Sequence, residues 1–270
     1  FGLAPVYLSF VSKYLLGHYQ VKTSMLILGI AFVAIVCGLA QLLRNPPQGY
    51  VADTKTGNAN KGAAAAAPVH FSPGEILRQP MFWLLWVIYF IGSGAGLMVI
   101  GSVSGMAKKS MGELAVVAVA VLAIGNAGGR ILAGMLSDKI GRRWTLFLVL
   151  LFQAGLMFIA IPVTASQNMY AAVIVLIAAL IGANYGANLA LFPSFTKDLW
   201  GLKNFGMNYG ILFTAWGVGG LVLPRLQQTL TAKSAGSYTS SFITAGVLLI
   251  VGNAFTLKKK TNKVDEAAGN

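Results

Sequence analysis

The apolar residues of this chain come in long runs, and the short stretches between the runs hold nearly all the charge. A helix rising 1.5 Å per residue needs about 20 mostly apolar residues to cross a hydrocarbon core about 30 Å thick. Seven runs have that character: Thr23–Leu43, Met81–Val103, Leu114–Leu136, Trp144–Ala165, Met169–Phe192, Phe205–Leu223 and Tyr238–Leu257. An eighth stretch, Phe1–Leu16, contains Pro5 and is short for a full crossing. It reads as the outer end of a helix whose start is missing. The chain begins at Phe1, with no basic segment leading to a cleavage site, so it is expected to be part of a longer protein.

Composition supports lipid as the main solvent. Only 10% of the 270 residues are charged, against about 25% in an ordinary soluble domain. The net charge of +13 raises nucleic acid as a partner. The placement of the charges argues against it, since no basic stripe is interleaved with stacking aromatics. Cys37 is the one cysteine and lies inside an apolar run, and His18 and His70 are far apart in loops. No disulfide, metal site or cofactor is expected. No nucleophile–base pair lies within the runs, so the chain does not read as an enzyme.

The basic residues orient the spans. With the C-terminus on the cytoplasmic side, that side holds Arg44, Lys55, Lys61, Arg78, Lys139, Arg142, Arg143, Lys197, Lys203, Lys258, Lys259, Lys260 and Lys263. The other side holds Lys13, Lys22, Lys108, Lys109, Arg225 and Lys233. The excess is in the sense of the positive-inside rule. The longest cytoplasmic loop, roughly Arg44 to Arg78, opens on Asn45-Pro46-Pro47, which ends the preceding helix, and continues through the low-complexity stretch GNANKGAAAAAP. Ser72-Pro73-Gly74-Glu75 then has the pattern of a capping box with proline at the first helical position, and predicts a short surface helix.

Between the third and fourth spans stands GMLSDKIGRR, Gly134 to Arg143. Gly134 permits close helix packing, Asp138 can pair with a basic neighbour or cap a helix, and Gly141 makes a tight turn. Lys139, Arg142 and Arg143 are expected to face the cytoplasm and anionic lipid. The spacing G-x-L-x-D-K-x-G-R-R closely resembles the loop signature of the major facilitator superfamily. A six-helix unit after a long cytoplasmic linker fits the second half of that fold. The stretches LLRNPPQGY, FSPGEILRQPMFWLLWVIYFIGSGAGLMVIG, GNAGGRILAGMLSDKIGRR and NYGILFTAWGVGG are similar to the oxalate:formate antiporter family, which includes bacterial monocarboxylate carriers. The resemblance runs over nearly the whole chain.

It implies an all-α membrane protein with four parts. Residues 1–45 are the end of the N-terminal helical half, with the tail of its fifth helix and its sixth. Residues 46–79 are a cytoplasmic linker with a surface helix, 80–258 are the C-terminal six-helix half, and 259–270 are a cytoplasmic tail. It also implies a monomer in the cytoplasmic or inner membrane, with a small carboxylate as its cargo, moved with or without protons.

The seven acids, Asp53, Glu75, Glu113, Asp138, Asp198, Asp265 and Glu266, all fall outside the spans. Arg130 falls inside one, eight residues before Asp138 and so about 12 Å deeper, close to the midplane. A central arginine costs at least about 2.5–3.5 kcal/mol. It either snorkels, bonds to backbone carbonyls, or meets an anion, whose carboxylate a planar guanidinium matches with two parallel hydrogen bonds. The resemblance favours the anion, because family members carry a substrate-binding arginine at this position of the eighth helix. Asn126 shares a face with Arg130 and either orients it or bonds another helix. Gly125, Gly128 and Gly129 read as packing positions. Asn184, Tyr185 and Asn188 lie on the fifth span, as substrate contacts or as interhelical bonds. An aromatic at position 185 corresponds to a residue that lines the family's cavity.

Tyr209 and Trp216 lie on the sixth span. Tyr209 can mark the interface, whereas Trp216 is mid-span. Oxalate-specific members carry lysine where this chain has Trp216. A dicarboxylate needs two cationic partners, and these spans offer one. The inference is a monocarboxylate such as lactate, pyruvate or formate, with Trp216 closing an apolar wall, moved by proton symport or anion exchange. An oxalate/formate antiporter, and a membrane carboxylate sensor that transports nothing, are the alternatives.

Overall fold

The computed structural model describes residues 3–42, 70–112, 115–165 and 171–257. Most of the linker expected over 46–79, and the tail expected over 259–270, lie outside them. The described residues form nine helices and no strand: α1 (Ala4–His18), α2 (Val21–Ala40), α3 (Pro73–Leu77), α4 (Pro80–Met111), α5 (Ala115–Ile140), α6 (Arg142–Ala165), α7 (Ala171–Trp200), α8 (Phe205–Lys233) and α9 (Thr239–Leu257). Seven of them, α2 and α4 to α9, are long and apolar enough to cross a membrane. The chain is an all-α protein built of membrane-spanning helices.

Several helices outrun the apolar stretches that announced them. α7 passes through Pro193 to Trp200, and α8 passes through Pro224 to Lys233. Proline removes one backbone hydrogen bond, and packed neighbours make that tolerable inside a bundle. The polar ends of both helices therefore continue past the hydrocarbon-length segments.

The chain divides into two compact units, one of Leu8–Pro68 and one of Phe1–Tyr7 with Val69–Asn270. In the first, α2 follows α1 after a break at Tyr19 and Gln20. His18 closes α1 by packing against Tyr14, with ring centroids 4.3 Å apart and planes tilted by 33°, and its Nδ1 lies 2.8 Å from the Tyr14 carbonyl oxygen.

The second unit contains the six-helix bundle α4 to α9. α5 packs most extensively on α7, α4 on α8, and α6 on α9. Apolar burial gives little drive between helices in lipid, so close approach through small residues matters more. The α5–α7 seam shows this directly. A Cβ added to Gly125 would sit 2.1 Å from the Ala179 carbonyl oxygen, and one on Gly129 would sit 2.0 Å from that of Ala183. The contact is reciprocal, since a Cβ on Gly182 or Gly186 would meet the carbonyl oxygens of Leu122 and Asn126 at 2.1 and 2.0 Å. Two G-x-x-x-G pairs thus press backbone against backbone. Gly128 and Gly134 do not share this role. A Cβ at either would meet nothing within 4 Å among the described residues, because the contact line of α7 follows Gly125 and Gly129.

At the end of the bundle where α5 meets α6, Gly141 takes a φ of 86°, which lets it serve as the single residue between the two helices. Arg142 then bonds Asp138 at 2.6 Å and Asp198 of α7 at 3.0 Å, and it also donates to Ser137 at 2.5 Å. Arg143 donates to the last carbonyls of α9, Thr256 at 2.7 Å and Leu257 at 2.8 Å. A cation at a helix C-terminus satisfies carbonyls that lack intrahelical donors. Two of the three basic residues expected to face anionic lipid therefore have partners within the protein. Lys139 is exposed.

Residues 70–79 form a strap over the turn between α7 and α8. Phe71 donates its N–H to the Trp200 carbonyl at 3.1 Å and accepts from the side-chain amides of Asn204 and Asn208, each at 3.0 Å. Trp200 Nε1 donates to Gln79 at 2.8 Å. α3 starts with the capping box read from the sequence: the Glu75 carboxylate accepts from the Ser72 N–H at 2.6 Å and from its hydroxyl at 2.7 Å.

Candidate functional site

Arg130 is the sixteenth residue of the 26-residue helix α5 and lies about 15 Å from the Ile140 end. Its Nε donates to Asn126 Oδ1 at 3.1 Å, one turn earlier on the same face. Asn126 also sits on the α5–α7 seam, where its carbonyl abuts Gly186. The seam therefore fixes the backbone beneath the guanidinium and brings Tyr185, next to Gly186, to the same level. Arg130 is within electrostatic reach of Tyr185, of Tyr89 on α4 and of Tyr209 on α8.

The three tyrosines belong to a continuous aromatic group. Trp216 Nε1 donates to the Tyr185 hydroxyl at 2.7 Å, and its ring stacks on Phe213 with centroids 5.0 Å apart and planes 11° from parallel. Phe213 lies 5.5 Å from Tyr209 and 6.1 Å from Tyr89. The Tyr89 and Tyr209 hydroxyls lie 3.4 Å apart, and Tyr89 stacks on Phe192 of α7. Four helices, α4, α5, α7 and α8, thus supply one guanidinium, one amide and three phenol hydroxyls amid apolar rings. Guanidinium and phenol N–H and O–H groups are donors suited to an anion, and no carboxylate from the described spans accompanies them.

Of the residues singled out from the sequence, Arg130, Asn126, Tyr185, Trp216 and Tyr209 fall in or beside this group. Trp216 is not purely an apolar wall, because its N–H bonds Tyr185. Asn184 and Asn188, on the same helix as Tyr185, direct their side-chain bonds elsewhere. Their side-chain amides donate to their own helix, to the Leu180 carbonyl at 2.9 Å and the Asn184 carbonyl at 3.0 Å. Asn188 is fully buried and points its Oδ1 at Gly92 of α4, where a Cβ would meet it at 2.9 Å. Gln153 of α6 donates to the Gly92 carbonyl at 3.2 Å, so this second polar group lies among α4, α6 and α7. The loop residues Gly134, Asp138, Lys139, Gly141, Arg142 and Arg143 form the separate network at the bundle end.

Tyr89 was not singled out from the sequence, and neither was Phe213. Tyr89 carried a usable signal: it is a hydroxyl-bearing residue in the middle of the apolar run Met81–Val103, away from the span ends where tyrosines gather. Among the described residues, no three His, Cys, Asp or Glu side chains are placed to hold a metal ion.

The sequence profile of the Major Facilitator Superfamily matches residues 1–224 and 110–269. The chain is 31% identical over 230 residues to the uncharacterized MFS-type transporter YhjX of Escherichia coli K12, covering 82% of this chain and 52% of that protein. It is 32% identical over 148 residues to the oxalate:formate antiporter of Oxalobacter formigenes, covering 54% and 34% of the two chains. It is 34% identical over 129 residues to the MFS transporter asaE of Aspergillus flavus, covering 48% and 28%. The chain thus spans about half the length, or less, of these relatives.

Proposed function

The chain belongs to the major facilitator superfamily, and from that premise we propose that it is part of a secondary transporter moving small monocarboxylates by alternating access. The observation that carries the reading is Arg130, a mid-span cation held by Asn126 within electrostatic reach of the phenols of Tyr89, Tyr185 and Tyr209. Placing an arginine there costs at least about 2.5–3.5 kcal/mol, and a carboxylate bound to it offsets that cost with two charge-assisted hydrogen bonds. The relative named as an oxalate:formate antiporter supports a small carboxylate as cargo.

That relative also supports a second reading, exchange of oxalate for formate. The monocarboxylate reading is preferred because Trp216, and not a second cation, faces Tyr185. Unless a second cation comes from outside this chain, a dicarboxylate bound to one guanidinium would leave a carboxylate in low dielectric without a cationic partner.

We place the protein in the cytoplasmic membrane with the C-terminus inside, a reading that the distribution of basic residues supports. Residues 1–45 then close an N-terminal half, and 80–258 form the C-terminal half. Transport is either proton symport or anion exchange. His18 ends α1 and His70 precedes α3, while Glu75, Asp138 and Asp198 lie in the surface helix or at helix ends. A proton-coupling group is therefore assigned outside the described spans, if a proton moves separately from the substrate.

Counterflow in proteoliposomes, with labelled formate, lactate, pyruvate and oxalate, tests the proposal. Exchange of the monocarboxylates without oxalate is the expected result. Oxalate exchange at a comparable rate would move the assignment to the antiporter, and no exchange of any of the four would remove the carboxylate reading.

A further inference from the structure

The Tyr185 hydroxyl has its hydrogen-bond polarity set by its partner. An indole N–H can only donate. Trp216 Nε1 lies 2.7 Å from the Tyr185 oxygen, so that oxygen accepts, and the phenol's own proton is left to donate in another direction. The Tyr89–Tyr209 pair differs, because at 3.4 Å either hydroxyl can be the donor. The direction of the Trp216 bond is held from both ends. The indole stacks on Phe213, and the Tyr185 backbone is fixed by Gly182 and Gly186 against α5, the helix that carries Arg130.

We propose that Trp216 is a positioning residue that makes Tyr185 an obligate hydrogen-bond donor, so that Arg130 and Tyr185 together offer only donors to a single carboxylate group. The inference rests on the carboxylate reading above and deepens it. A neutral phenol is ambivalent, and in low dielectric an oxygen lone pair turned toward an anion repels it. With its oxygen already accepting from Trp216, Tyr185 presents its O–H to the anion. Specificity at this position then comes from Trp216 acting through Tyr185, and not from direct contact between the indole and the substrate.

The test is a double-mutant cycle on the intact transporter in proteoliposomes, read as KM and kcat for formate and lactate. Trp216→Phe deletes the N–H and keeps a ring to stack on Phe213, and Trp216→Leu makes the same deletion by a second route should the phenylalanine variant assemble poorly. Tyr185→Phe deletes the donor itself. Each single variant is expected to raise KM about fivefold, the scale of one net hydrogen bond, with kcat changed less than about twofold. Adding Trp216→Phe to Tyr185→Phe is expected to raise KM no further. Unchanged KM in Trp216→Phe, or multiplying effects in the double variant, would overturn the assignment, as would a fall in kcat with KM unmoved. Wild-type uptake of both substrates keeps those outcomes distinct from a failure of the carboxylate reading. Wild-type protein that takes up neither substrate overturns both inferences together.

Discussion

Arg130 was legible in the sequence because one charge in a 23-residue apolar run stands out against its surroundings. Tyr89 was less legible: its mid-span position marks it, but a tyrosine there packs as readily as it binds, and it is the approach of Tyr209 at 3.4 Å that puts it in the polar group. Asn184 and Asn188 looked equal to Asn126 in the sequence. The structure divides them by the direction each amide takes, toward Arg130 or toward its own helix. If Arg130 holds the substrate carboxylate, Arg130→Ala is expected to cut uptake about thirtyfold or more, the consequence of truncating one side of a desolvated charge pair. Arg130→Lys keeps the charge and loses the planar fork, so uptake is expected to fall roughly tenfold or more. Both are read by labelled-lactate counterflow, with size-exclusion profiles showing that the variants assemble. Near-normal uptake by either would refute the role.

At the scale of helices, the apolar runs located the spans well, and their ends poorly. The apolar run ends at Phe192, yet α7 continues through Pro193 to Trp200 because the bundle supports the broken hydrogen bond. The cluster Gly125, Gly128, Gly129 also could not be resolved from sequence, since which glycine meets a neighbour depends on where α7 crosses. The geometry separates them into a prediction. Gly129→Ala drives a methyl to 2.0 Å from the Ala183 carbonyl oxygen and is expected to destabilise by about 1–3 kcal/mol or more. Gly128→Ala meets open space and is expected to leave the thermal midpoint unchanged or slightly raised. A thermal-shift assay in detergent compares them, and equal midpoints would contradict the seam.

The surface helix α3 carries a pH dependence of definite sign. Donation first from the Ser72 N–H, then from its hydroxyl, holds the Glu75 carboxyl below its ordinary value. A depressed carboxyl stabilises the folded strap above the unfolded pKa, about 4.3, and this contribution is lost as pH falls through the lower folded value. Hydrogen exchange over residues 70–79, corrected for intrinsic rates, is expected to quicken below about pH 4 in wild type. In Glu75→Gln the corrected protection should be flat across that range.

On the scale of the molecule, membership of the superfamily was legible from a single loop, GMLSDKIGRR, together with the number of spans. What that loop touches was hidden, because Asp198 is 56 residues from Arg142 and the α9 carbonyls are 113 and 114 residues from Arg143. Arg142 ties α5, α6 and α7 at one end of the bundle. Its bond to Asp138 is largely exposed, and exposed pairs contribute about 0.2–1 kcal/mol. Asp138→Asn is therefore expected to slow turnover by no more than about fivefold while leaving substrate affinity nearly unchanged, as read by counterflow and by competition binding. A large loss of affinity with unchanged turnover would contradict that.

The α5–α7 seam has a mechanical corollary. Two helices whose carbonyls rest on each other's glycine Cα atoms cannot slide past one another without a collision, so Arg130 and Tyr185 travel as the two jaws of one rigid clamp. Under the alternating-access proposal, the motion that opens the site is then expected outside this seam. The Trp216–Tyr185 bond is what ties α8 to that clamp.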